Sequence, residues 1–228
     1  MKTNIFILFI ATAIISSCSK KDSTTTNPTP AATYINTNAG SSWTYNEIDS
    51  SAATPTNTNY TVSSTSTDTT INSKSYHVYS YSYGGSEYLN LTGNNYYQYD
   101  SVPGGLGQVI ERLYLVDNAA VNATWSQNFS VNINVGSVPI TVPVTLTNKI
   151  IETGTTLIVN GITYTGVIHV STTISSTSIP AANLTSSIDS YYAPNYGLIE
   201  NSTLVNLNYL GITEYVNTKT LLTSSVLK

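Results

Sequence analysis

The sequence is short of the groups most chemistry needs. Among its 228 residues there is one cysteine, Cys18, so no disulfide can form within the chain. Charged residues make up 9%, against about 25% in an average globular protein, and Ser, Thr and Asn replace them as the water-facing residues. The net charge is −4, and Lys74, Arg112, Lys149 and Lys219 fall singly. No basic cluster exists to neutralise phosphates, which excludes nucleic acid as a partner. The two histidines, His77 and His169, belong to no His-Glu-x-x-His pattern, and no Asp-x-Asp pair occurs. Pro103-Gly-Gly-Leu-Gly107 lacks the Lys-Ser/Thr and the helix that a phosphate-binding loop requires. No convincing helical periodicity is found, and the one long apolar run, Ile5 to Ile15, is too short to span a bilayer, which takes about 20 residues.

What is present at the N-terminus is an address. Lys2, the apolar run and Ser16-Ser17-Cys18 make the three parts of a secretory signal. Ile15-Ser16-Ser17-Cys18 resembles the lipobox of bacterial lipoproteins, with Ile in place of the usual Leu and Ser17 in place of the usual Gly or Ala. The resemblance implies cleavage before Cys18, diacylglycerol on its sulfur and a further acyl chain on its amino group. At about 0.8 kcal/mol per buried CH₂, several chains make an effectively permanent anchor, so the first expected partner is a membrane. The competing reading is a secreted protein with a free thiol. Ser19-Lys20-Lys21-Asp22 resembles the surface-export signals of Bacteroidetes lipoproteins, and a solvated tether explains it equally well. The expected organisation is a signal peptide over 1–17, a lipidated Cys18 with a flexible tether over 18–32, and one β-rich domain over 33–228. The expected location is the outer membrane, on its periplasmic face or at the cell surface.

Beyond the tether nearly every segment reads as strand. A chain that is 40% hydrophobic and holds 18 tyrosines suits a folded β-protein. Strands are expected at 42–45, 60–62, 75–83, 109–116, 129–135, 140–151, 165–175, 198–210 and 213–218. Hairpins are expected at 88–99, turning at Thr92–Asn95, and at 157–164, where Asn160-Gly161 suits a type I′ turn. Pro139, Pro143 and Pro180 suggest edges or bends. Thr70–Val78 and Ile158–Val170 echo each other, through duplication or through a shared hairpin vocabulary.

Two short segments carry a family resemblance. Gly40-Ser-Ser-Trp43-Thr-Tyr45 is similar to the opening of many Bacteroidetes lipoproteins of unassigned function, and Tyr191-Tyr-Ala-Pro-Asn-Tyr-Gly-Leu-Ile-Glu200 is similar to a Pro/Gly-turn signature in them. The pattern is shared with half-barrel envelope proteins similar to the lipoprotein carrier and receptor pair that handles acyl chains. It implies an all-β fold, a curved antiparallel sheet forming a half-barrel or open barrel, with one apolar concavity.

The functional expectation is a non-enzymatic binding module without cofactor or metal, holding an apolar or amphipathic, lipid-like ligand in that concavity. The alternative is a surface glycan-binding or adhesion protein using its tyrosines, since Tyr stacks on sugar rings while its hydroxyl hydrogen-bonds. Tyr79, Tyr81, Tyr83, Tyr97 and Tyr99 are the candidate ligand-binding residues, weighed against a purely structural role in sheet packing. His77 and His169 read as strand histidines satisfied by neighbours, rather than as a metal pair. A hydrolase with carboxylates gathered from distant positions ranks last.

Overall fold

The computed structural model describes residues 32–101, 109–135 and 138–228. Cys18, the signal peptide and nearly all of the expected tether lie outside the described residues.

Twelve strands form one antiparallel sheet: β1 (Ser42–Asp49), β2 (Thr56–Ile71), β3 (Lys74–Tyr81), β4 (Ser86–Thr92), β5 (Asn95–Ser101), β6 (Val109–Val116), β7 (Thr124–Val135), β8 (Val138–Val159), β9 (Ile162–Ser175), β10 (Leu184–Ala193), β11 (Gly197–Tyr209) and β12 (Ile212–Val226). The strand order is β6-β5-β4-β3-β2-β1-β12-β11-β10-β9-β8-β7. The sheet is a nearly closed barrel with one unsealed seam, and the described residues contain no helix. Each step in chain order is a hairpin except across the seam, and β1 joins β12 to bring the two halves together. The expectation of a curved open barrel holds, with more and longer strands than the local patterns gave.

Turn chemistry sets the hairpins. Asn160 and Gly161 take positive φ, 48° and 78°, as a type I′ turn demands. Asn72 and Ser73 do the same at 50° and 66°, so the two echoing segments share their turn geometry. Gly93 turns β4 into β5 at φ 62°. The prolines of β8 follow the edge rule: β8 pairs with β9 only from Thr145 onward, so Pro139 and Pro143 face β7 alone and their missing N–H groups cost no second ladder. Pro180 opens a turn instead, its carbonyl accepting from Asn183 N at 2.8 Å.

The seam between β6 and β7 is stitched by side chains. Gln127 Oε1 accepts from Leu113 N at 2.7 Å, Trp125 Nε1 donates to Leu113 O at 2.8 Å, and Gln127 Nε2 donates to Glu111 O at 3.3 Å. Two β7 side chains thus supply part of the ladder that a neighbouring strand would have supplied.

The interior is packed by alternation. Val131, Val142, Val144, Leu146, Ile174, Ile188, Val205 and Leu207 form an aliphatic cluster. Trp43, Tyr45, Val62 and Tyr79 belong to a second, more aromatic cluster. Thr33–Asn36 is held against the barrel by several strands. Asn195 N donates to Thr33 O at 2.7 Å, Tyr34 OH to Gly166 O at 2.8 Å, and Tyr79 OH to Asn36 O at 3.0 Å. Gly197 sits beneath this segment at φ 70°, and a Cβ there would lie 3.2 Å from Tyr34 O. Gly197→Ala therefore adds both backbone strain and a clash, and urea unfolding should show a loss of about 1–3 kcal/mol.

Candidate functional site

The inward faces of β1–β6 and β8–β12 line a cavity of about 310 Å³, at the lower end of the range usual for small-ligand sites. Its wall mixes rings with polar tips. Trp43, Tyr45, Tyr60, Tyr81, Tyr114 and Tyr192 provide the rings. Asn148, Thr172, Ser190, Asn201 and Thr220 provide hydroxyls and amides, and Glu87, Gln98, Asp100 and Arg112 provide the charged corner. Aliphatic groups are few: Ile35, Val62, Leu89, Ile188 and Leu198. This is not the dry, aliphatic concavity an acyl-chain carrier would present.

Burial raises the phenols of Tyr45, Tyr60, Tyr79, Tyr81, Tyr114 and Tyr192 above their ordinary range. They stay neutral at physiological pH and act as hydrogen-bonding rings, not as bases.

Sheet register builds the charged corner. Gln98 on β5 stands opposite Leu89 on β4 and Arg112 on β6. Glu87, opposite Tyr79, is its diagonal neighbour, a distance that long side chains span. Gln98 Nε2 donates to Glu87 Oε1 at 2.6 Å, and Arg112 Nη2 donates to Gln98 Oε1. A glutamine amide thus relays between an acid and a guanidinium. Burial, reinforced by the Asp100 carboxylate, pushes Glu87 up to about 7, although Arg112 and hydrogen bonds oppose the rise. Asp100 is exposed at the rim, where its Oδ1 accepts from Ser101 N at 2.6 Å. Two buried N–H donors have no hydrogen-bond partner among the described residues, Trp43 Nε1 and Arg112 Nε. Both side chains line this cavity.

The candidate tyrosines divide. Tyr79 and Tyr81 line the cavity, although Tyr79 spends its hydroxyl on Asn36. Tyr83 is 69% exposed and stacks on Tyr81 with ring centroids 5.0 Å apart, extending the aromatic wall into solvent. Tyr97 and Tyr99 are absent from the lining and lie on the opposite face of the sheet. Lys74 Nζ sits 3.2 Å above the Tyr97 ring, and Tyr99 packs on Tyr76, whose hydroxyl donates to Glu111. Lys74 and Glu111 pair there at 2.5 Å. That outer cluster has the marks of sheet packing.

The histidines are not brought together on one site. His77 Nδ1 lies 2.7 Å from Asp68 Oδ1 and its Nε2 2.8 Å from Ser64 Oγ, across a bulge in β2. His169 Nε2 lies 2.8 Å from Asp189 Oδ1, with its ring stacked on Tyr191 at 4.2 Å. No group of three or more His, Cys, Asp or Glu side chains suited to a metal occurs among the described residues.

Glu87, Gln98 and Arg112 escaped the sequence reading. The available signal was parity. Arg112 is two residues from the buried Ile110, and Gln98 two from the buried Tyr96, so each occupies an inward position in its strand.

The class defined by these observations is an antiparallel, nearly closed β-barrel with a polar, tyrosine-lined interior. No family model matches the chain, and no curated protein matches it. Two solved structures show similarity. One is a protein of Parabacteroides distasonis provisionally designated a lipoprotein, at 13% identity and a TM-score of 0.48, covering 86% of this chain and 99% of that one. The other is a protein of Bacteroides fragilis with a YmcC-like fold, provisionally designated as exported, at 12% identity and a TM-score of 0.43, with the same coverage. At such scores neither likeness carries an argument about this chain.

Proposed function

We propose that this chain is a lipid-anchored, non-catalytic binding module of the bacterial envelope whose barrel interior holds a small, hydroxyl-bearing ring ligand of the saccharide class. The observation that carries the ligand class is the cavity wall, in which neutral tyrosine rings alternate with Ser, Thr, Asn, Gln and charged tips. Rings offer stacking faces, and the polar tips offer directional bonds to hydroxyls. An unbranched acyl chain in the same space would leave Glu87, Gln98 and Arg112 facing CH₂ groups, and polar groups desolvated without partners are costly. The envelope placement rests on the signal and lipobox pattern ending at Cys18.

Native mass spectrometry of the protein extracted from bacterial membranes, with organic extraction of what it carries, tests the reading. A saccharide at near-unit stoichiometry is expected. A fatty acid or lysolipid would establish the carrier reading instead.

A second reading has one observation in its favour. Glu87, whose carboxyl is pushed up to about 7 by burial, shares this cavity with Asp100, and a pair of carboxyls across the scissile bond is what a glycoside hydrolase uses. Release of p-nitrophenol from a panel of aryl glycosides, lost in Glu87→Gln, would replace binding by hydrolysis. No release is expected.

A further inference from the structure

We infer that the cavity contains an anion subsite in which Arg112, presented by Gln98, takes a carboxylate of the bound ligand, and that Glu87 beside it makes this recognition pH-dependent. The inference deepens the saccharide reading, and it narrows the ligand to acidic sugars.

Three observations converge. Arg112 is the chain's one arginine, in a protein that otherwise avoids charge, and it lies inside the barrel rather than on its surface. It forms no ion pair among the described residues: the four pairs there use Lys74, His77, His169 and Lys219. Among the described residues its side-chain hydrogen bond is the one to Gln98, and its buried Nε has no partner. A guanidinium fixed at one nitrogen, with a buried Nε still lacking an acceptor, is prepared for two-point bonding to a carboxylate. Trp43 Nε1 adds a second kind of evidence. It belongs to a side chain only 4% exposed, has no partner among the described residues, and lines the same cavity, so it too calls for an acceptor.

The groups facing Glu87 are Tyr79 and Tyr81 on β3, Tyr83 just beyond it, Asp100 on β5, Arg112 and Tyr114 on β6, Tyr45 and Tyr60 on β1 and β2, and Tyr192 on β10. The phenols stay neutral, and Asp100 is at the solvent-exposed rim. Ionised Glu87 is therefore the main enclosed charge that competes with an incoming carboxylate for Arg112. Protonation near pH 7 removes that competition while a sugar carboxylate, with an ordinary pKa of roughly 4, stays charged.

The test follows the two indole N–H signals of the ¹⁵N-labelled full chain in detergent micelles. Trp125, bonded to Leu113 O, is assigned through Trp125→Phe. The probes are D-glucuronate, D-glucose and cyclohexanecarboxylate at pH 6 and pH 8. The expected result is a glucuronate-induced shift of the Trp43 signal, with affinity about tenfold tighter at pH 6 than at pH 8. Glucose should bind about tenfold more weakly or worse. Glu87→Gln should abolish the pH dependence and keep glucuronate binding, and Arg112→Gln should remove the preference for glucuronate. Arg112→Lys, which keeps the charge without the fork, should restore it in part, and that rescue separates the anion role from a folding defect. Equal binding of glucose and glucuronate, unchanged in Arg112→Gln, overturns the inference and leaves the saccharide reading standing. Binding of cyclohexanecarboxylate as tight as that of glucuronate keeps the anion subsite and sinks the saccharide reading. No shift with any probe overturns both.

Discussion

Replacing Trp125 by Phe and Gln127 by Ala together is expected to destabilise the barrel by about 2–4 kcal/mol and to promote self-association. The two side chains make three hydrogen bonds to the backbone of β6, at Leu113 N, Leu113 O and Glu111 O. Each bond contributes about 1 kcal/mol net, and a group left enclosed without a partner costs about 1–3 kcal/mol. β6 and β7 are the terminal strands of the sheet. Freed from each other they become two open edges, which template pairing with other chains. Trp125→Phe retains a ring, so the change isolates the lost indole bond from the lost packing. Urea unfolding measures the energy, size-exclusion chromatography the association, and amide exchange at Leu113 reports local opening. An unchanged unfolding midpoint together with a protected Leu113 amide would mean that the barrel closes without these stitches.

The strands legible in the sequence were those with strict alternation or an unambiguous turn. The β6 run 109–116 matched the structure to the residue, and Thr92–Asn95 and Asn160-Gly161 marked their hairpins. Bulges hid the rest. β8 runs unbroken from Val138 to Val159, with register shifts at Ile150/Glu152 and again before Thr155 and Thr156. Each shift resets the inward parity, so a period-2 reading splits one 22-residue strand into two. β2 breaks register between Ser64 and Asp68, and only its 60–62 portion had been legible. β10 escaped before Tyr191 because its inward positions include Ser186 and Ser190, which carry no apolar signal.

The site was legible by halves for a related reason. Tyr79 and Tyr81 were assigned to one strand face, and that face does line the cavity. Tyr97 and Tyr99 belong to the next hairpin, β4–β5, and take the opposite parity from Gln98, so they point away from the interior. The charged corner could not be read locally. Glu87, Gln98 and Arg112 come from three strands, and only register makes them neighbours. In a chain this poor in charge, the lone arginine within a strand was a further clue beside the parity of Gln98 and Arg112.

The second large effect concerns Glu87 and depends on pH. Its carboxyl, pushed from an ordinary 4.5 up to about 7 by burial and by Asp100, binds its proton more tightly in the folded protein than in the unfolded chain. The proton thus favours folding. The benefit is complete below about pH 4.5, declines as the pH rises, and is gone above pH 7, where the folded barrel must hold an ionised carboxylate. Glu87→Gln keeps an oxygen for Gln98 Nε2 and removes the charge. At about 1.4 kcal/mol per tenfold change in proton affinity, discounted for the water that the cavity admits, the variant should gain about 1–2 kcal/mol at pH 8. At pH 4 it should gain nothing. Urea unfolding of both proteins at the two pH values measures the difference directly. A gain equal at pH 8 and pH 4 would place the effect in hydrogen-bond geometry, and an absent gain would mean that Arg112 already neutralises Glu87 through Gln98. A gain confined to high pH would instead mark the Glu87 position as one where the barrel carries a charge that its own stability disfavours, as a residue kept for ligand recognition would.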